Sequence, residues 1–193
     1  KGNRKWKGLF VEPVPYSYNQ LKKNYGKDAR FSFENTAIND GSSMIFYFVD
    51  DRAQLEIPDL PYWYDQLGSF DKGHITKHLN GVLQPYIKEM TIEGMTLADL
   101  LEKHSVKEID ILHIDTEGYD WKILKQLDQT KYLPSFILYE KMHLSKQELR
   151  NSISFLSENY ALFDLELDSF AIRKDLGSDL IQKVSKHMRT LEN

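Results

Sequence analysis

Three short apolar runs in this chain each finish on an acid: "LFVE" at residues 9–12, "IDILHID" at 109–115 and "FILYE" at 136–140. Each is followed by a stretch of helical period, so the pattern predicts strand then helix, repeated, with the acids at the carboxyl ends of the strands. Alternation of this kind implies parallel βαβ units, and so an α/β fold. In open α/β sheets the carboxyl ends of the strands form the ligand crevice, because the chain there turns into exposed loops beside helix N-termini. Glu12, Asp115 and Glu140 therefore mark one rim, with Glu117 two residues beyond Asp115. Any one of these acids alone is as well explained by a loop start or a cap on the next helix.

The remaining elements follow the same reading. Tyr18, Leu21 and Tyr25 fall at helical spacing after Pro13. "ARFSFENTAI" and "SSMIFYFVDD" read as strands joined by the turn "NDG", which predicts a hairpin. "YIKEMTI" is a strand, and Thr96 with Asp99 and Ser145 with Glu148 have the spacing of capping boxes opening two helices. "YALFDLEL" and "SFAIRKD" predict an antiparallel hairpin at the edge of the sheet, followed by a helical tail from about Leu180. Residues 52–85, rich in aromatics and prolines, read as an insertion or lid within a single domain spanning 1–193.

Composition removes several classes of function. With 193 residues, 41% of them hydrophobic, the chain can bury one substantial core. A net charge of -4 with mixed signs along the chain gives no broad electropositive face, so nucleic acid is not the expected partner. There is no cysteine, which excludes disulfides and thiolate metal sites and fits a cytoplasmic setting. No apolar run approaches the ~20 residues that cross a bilayer, so no membrane span is expected. His74 and His78 are spaced i, i+4, but Ile75 stands where a zinc protease has its glutamate, and no metal is assigned. Tyr62, Trp63 and Tyr64 read as core packing, and Lys1, Arg4, Lys5 and Lys7 as a solvated basic run.

The segments "LFVEPVPYSYNQLKKNY", "NTAINDGSSMIFYFV", "MTLADLLEKHSVKEIDILHIDTEGYDWKILKQL" and "FILYEKMHLS" together resemble the FkbM family of S-adenosylmethionine-dependent methyltransferases. Glu12-Pro13 and Ile114-Asp115-Thr116-Glu117-Gly118 carry the most specific likeness, with His113 where the family motif has lysine. The resemblance implies a Rossmann-like class I methyltransferase sheet of seven strands, mostly parallel, with a C-terminal antiparallel hairpin. It implies S-adenosyl-L-methionine as cofactor and O-methylation of a hydroxyl on a small metabolite or sugar. Glu12 would accept hydrogen bonds from the ribose hydroxyls, next to Pro13, and Asn35, Ala37 and Ile38 would lie beside the adenine. Ser69, in the lid, would meet the cofactor's carboxylate. Asp115 would stand near the reacting centre on the cofactor side, and Asp115, Glu117, Glu140 and His143 are the catalytic candidates, since a carboxylate can orient an alcohol and a histidine can accept its proton near neutral pH.

One departure counts against that reading. The glycine-rich turn on which such enzymes seat the cofactor is absent: no G-x-G-x-x-G occurs in the chain. The first strand and its turn are expected upstream of Lys1; without them strand edges would be exposed, favouring a homo-oligomer. The alternative is a noncatalytic methyltransferase-like module for binding or assembly.

Overall fold

The computed structural model describes residues 6–191. Of the basic run, Lys1, Arg4 and Lys5 lie outside the described residues. The fold is mixed α/β, with parallel and antiparallel strand pairs, and the chain divides into two compact units, Lys1–Met95 and Thr96–Asn193.

In the first unit, β1 (Gly8–Val11) runs into α1 (Pro15–Tyr25) and returns as β2 (Phe31–Glu34), which pairs with β1 in parallel. Pro15 sits where its missing N–H costs nothing, at the start of the helix. Rings join these elements: Phe10 stacks on Phe33 and Tyr25 and meets Phe31 edge-on.

The hairpin expected between residues 31 and 49 does not form. β3 (Ser43–Val49) pairs instead with β4 (Ile87–Glu93), antiparallel over its whole length, while β2 keeps β1 as its partner. The reason lies at "NDG". Asn39 is fully buried and closes the turn itself, accepting from Gly41 N–H at 2.7 Å and donating to the Ser42 carbonyl at 2.8 Å. The chain before it is drawn away from β2, because Ala37 and Asn39 exchange backbone hydrogen bonds with Met95. Tight turn chemistry was legible; which strand came back to meet it was not.

That buried asparagine explains Gly94. A Cβ built there would lie 1.9 Å from Asn39 Oδ1 and 2.3 Å from Cγ, with no room for Asn39 to retreat. Gly94→Ala is expected to destabilise the protein by about 2 kcal/mol, read as a lowered midpoint in chemical denaturation. An unchanged midpoint would mean that Asn39 does not hold the turn.

Residues 52–85 carry a core of their own. Ala53, Tyr64, Leu67, Ile75 and Leu83 bury against Val49, with Trp63 packed alongside, whereas Tyr62 stays in solvent. The segment contains two short helices, α2 (Ala53–Glu56) and α3 (Lys72–Lys77), the latter capped by Asp71. Tyr16 of α1 donates to the Val49 and Asp65 carbonyls, pinning the segment to its unit.

The second unit opens with α4 (Leu97–Lys103), whose N-cap Thr96 accepts from Asp99 N–H. Then follow β5 (Ile111–Ile114), α5 (Asp120–Leu124), β6 (Phe136–Glu140), α6 (Lys146–Leu156), β7 (Tyr160–Leu165), β8 (Asp168–Arg173), α7 (Ser178–Ser185) and a two-residue β9 (Arg189–Thr190). They form one sheet of order β5-β6-β8-β7-β9, with β5 and β6 parallel and β7 and β8 the expected antiparallel hairpin. Alternation along β6 buries Ile137 and Tyr139 completely, so Glu140 emerges at the strand's end on the other face. No helix among the described residues is long and apolar enough to cross a membrane.

Candidate functional site

The acids predicted at the carboxyl ends of strands stand there. In the first unit Glu12 directly follows β1; its Oε1 accepts from Val14 N–H at 2.7 Å. Asn35, just past β2, donates from one side-chain nitrogen to the carbonyls of Glu12 and Pro13, at 2.8 and 3.0 Å, and so fixes the backbone from which Glu12 projects. Burial holds the Glu12 carboxyl above the usual glutamate range; the Val14 bond partly offsets this and the charge of Asp65 adds to it. Ala37 and Ile38 are buried, Ala37 in a core with Val14, Phe46 and Ile92 and Ile38 in a bridge to Met95. Ser69 is buried too; its hydroxyl accepts from Asp71 N–H and its backbone bridges Tyr47.

In the second unit the four catalytic candidates converge on the loops after β5 and β6. Asp115 follows β5 directly and keeps an exposed surface. The loop then turns sharply through Glu117 and Gly118, at φ 54° and 99°. A left-handed glutamate is uncommon, and it aims this carboxylate inward. Gly118 packs against the next loop, where a Cβ would sit in ordinary contact with His143 Cβ at 3.4 Å, so it is the positive φ that calls for glycine. His143 lies in the turn that leaves β6, closed by Leu144 N–H on the Lys141 carbonyl and followed at once by the full capping box of Ser145 and Glu148 that starts α6. Its Nε2 is 3.3 Å from Glu117 Oε2 and 3.6 Å from Glu140 Oε1, and all three side chains are largely buried.

Two further acids complete the group, and neither stood out in the sequence. Asp168 opens β8 directly opposite Glu140 in the strand register. Asp120 is fully buried at the start of α5 and ties the two loops together: Oδ2 accepts from Thr116 Oγ1 at 2.9 Å and Thr116 N–H at 3.3 Å, while Oδ1 accepts from Glu140 N–H at 3.2 Å. An acid in the first turn of a helix is favoured by the helix dipole, so its type and position alone do not single Asp120 out.

Burial and like charge together perturb the carboxyls of Asp115, Asp120 and Glu140. Glu140 is pushed up to about 8, by burial first and then by Glu117, Asp115, Asp120 and Asp168. Asp120 rises to about 6, also by burial first, with the Thr116 hydrogen bonds opposing and Asp115 adding. Asp115 is raised by the protein packed around it and by Glu117. The nearby cation Lys141 is committed elsewhere, paired with Asp164 at 2.8 Å and donating to the Asp168 carbonyl at 2.6 Å, so it braces the β7–β8 turn.

Such an arrangement accepts hydrogen bonds from hydroxyls, takes up protons, and favours a positive charge brought near it. His78, for its part, has its Nδ1 on the His74 carbonyl at 2.7 Å, within the first unit. Among known protein families, the model described as "Methyltransferase FkbM domain" aligns with residues 1–173. No curated protein and no solved structure matches the chain.

Proposed function

The chain belongs to the FkbM methyltransferase family, and from that premise we propose that it transfers a methyl group from S-adenosyl-L-methionine to a hydroxyl of a small metabolite or sugar. The observation that carries the O-methyl reading is the convergence of Asp115, Glu117, Glu140 and His143 at the ends of β5 and β6. A class I arrangement of strands is proposed with it, supported by two parallel strands leading into an antiparallel hairpin, the order β5-β6-β8-β7.

The residues present fit the cofactor's chemistry. Glu12 is a carboxylate at a strand end, suited to a ribose diol, and the acidic group suits a sulfonium. When bound, the cofactor supplies a methyl group already activated by positive sulfur. What the protein contributes is position and proton handling. Glu12 would hold the ribose hydroxyls through its carboxylate, with Asn35 keeping its backbone in place. Asp115 would accept a hydrogen bond from the acceptor hydroxyl and take up its proton during transfer. Orientation of this kind, together with a positioned base, accounts for about 10²–10⁴ of rate.

The test is transfer of labelled methyl from S-adenosylmethionine to a panel of sugars and small alcohols, beside calorimetric titration with S-adenosylhomocysteine. Asp115→Asn is expected to lower kcat about 100-fold or more while leaving S-adenosylhomocysteine affinity within about threefold. A wild-type protein that binds no S-adenosylhomocysteine would sink the proposal and leave the noncatalytic module in its place. An Asp115→Asn variant with full activity would remove Asp115 from the reaction.

A further inference from the structure

We propose that Glu117, Glu140 and His143 form a binding site for a single divalent cation of the zinc class. The three donor atoms lie within 4.8 Å of one another. Ligands bound at about 2.0–2.1 Å in a tetrahedron are separated from each other by about 3.4 Å. The two separations from His143 Nε2, 3.3 and 3.6 Å, bracket that value. For a histidine–carboxylate hydrogen bond they are long, since charge-assisted pairs close to about 2.7–2.9 Å. A single imidazole N–H can also point well at only one of two carboxylates, whereas a cation at the centre of the face satisfies both.

A second observation points the same way. Glu140 Oε1 faces His143, while Oε2 of the same carboxylate is buried with no hydrogen-bond partner among the described residues, a costly state that a cation relieves where the carboxylate holds it through both oxygens. The surroundings favour positive charge, because Asp115, Asp120 and Asp168 stand around the same glutamate. Rigidity is supplied by the scaffold: Asp120 fixes the Glu140 backbone, and the Ser145–Glu148 capping box fixes the turn that carries His143. One nitrogen and two carboxylate oxygens are a donor set that zinc accepts, and three protein ligands leave a fourth position for an oxygen. In the transferase reading that oxygen is the acceptor hydroxyl. The cation site itself stands on the three side chains alone; only that use of it rests on the proposed function.

The experiment strips the full-length protein with chelator, removes the chelator, and titrates with zinc chloride by calorimetry, recording the zinc X-ray absorption edge of the loaded sample. The expected result is one ion per chain, with a first shell of nitrogen and oxygen only at about 2.0 Å and a single imidazole. His143→Gln and Glu140→Gln are each expected to weaken zinc about 100-fold, against no change for the distant surface variant Glu158→Gln. Absence of binding, or equal binding by the two variants, overturns the site. Should the variants not fold, an absorption spectrum of the wild type without an imidazole overturns it equally. S-adenosylhomocysteine titrated into the same samples keeps the two proposals apart: cofactor bound without zinc removes the cation site alone, and zinc bound without cofactor removes the transferase reading alone.

Discussion

Asp120→Ala is expected to lower the free energy of unfolding by about 4 kcal/mol, the largest loss of stability from any single change near the site. Three donors end on this one carboxylate: Thr116 N–H, Thr116 Oγ1–H and Glu140 N–H. The carboxylate that receives them is completely buried. Truncation strands all three, and each buried unsatisfied group costs about 1–3 kcal/mol, less what a water admitted to the small cavity returns. Asp120→Asn is the informative partner. Its carbonyl can keep both Thr116 bonds while its amide opposes Glu140 N–H, so about half the loss is expected. Equilibrium denaturation of the three proteins tests the ordering. A functional consequence goes with it: once the tie between the loops is cut, Asp115 and Glu117 lose their setting against Glu140. Zinc affinity and methyl transfer should therefore fall together in Asp120→Asn even where the protein remains folded. An alanine variant as stable as the wild type would show that the two loops are held by something else.

Local chemistry made much of the fold legible. Helices fell where the spacing put them, α1 where Tyr18, Leu21 and Tyr25 recur and α6 behind Ser145 and Glu148, because helical period and a cap are both settled within a few residues. Strands β5, β6, β7 and β8 were marked by apolar runs, and the parallel β5–β6 pair and the antiparallel β7–β8 pair by the presence or absence of a helix between them. Pairing was harder. The strand "SSMIFYFVDD" carried a turn signal pointing back to β2, yet its partner β4 lies about forty residues further on, beyond a segment with its own small core. A turn is a local decision and a partner is not; the competition was decided by Met95, whose backbone holds residues 37–39, and by the tolerance of Gly94 for a buried Asn39.

The site shows the same division. Acids at strand ends were readable because the strands were, and so Asp115, Glu117, Glu140 and His143 stood out as separate candidates. Their convergence depended on backbone detail that composition does not carry: a left-handed Glu117, a Gly118 against His143, and a buried Asp120 joining the loops. A metal-ligand spacing on one helix is a recognisable motif, and His74 and His78 drew notice for it. Ligands brought from two loops, one at residue 117 and two at 140 and 143, make no motif at all, which is why no cation was read from the sequence.

Glu12→Gln is expected to weaken S-adenosylhomocysteine about 100-fold, close to 3 kcal/mol, the largest single effect on cofactor affinity. The argument rests on charge. A carboxylate receiving hydrogen bonds from two ribose hydroxyls makes two charge-assisted contacts, each worth about 1.5–3 kcal/mol, and a neutral amide can accept at one oxygen only while presenting donors to the second hydroxyl. The fold should survive, because glutamine keeps an oxygen for Val14 N–H, which now closes on Glu12 Oε1 at 2.7 Å. Acidification supplies an independent handle. Burial raises the Glu12 carboxyl above its ordinary value of 4.5, so the ionised form needed for binding disappears as pH falls through that raised value. Affinity in the wild type should then begin to drop above pH 4.5, whereas the glutamine variant, already neutral, should give a flat profile from this residue. The sign for stability of the free protein is opposite, since a raised carboxyl pKa favours the protonated native state at low pH. Calorimetric titration of both proteins across that range distinguishes ribose recognition by Glu12 from a purely structural role: a glutamine variant that binds as tightly as the wild type, with the same response to pH, removes Glu12 from the cofactor site.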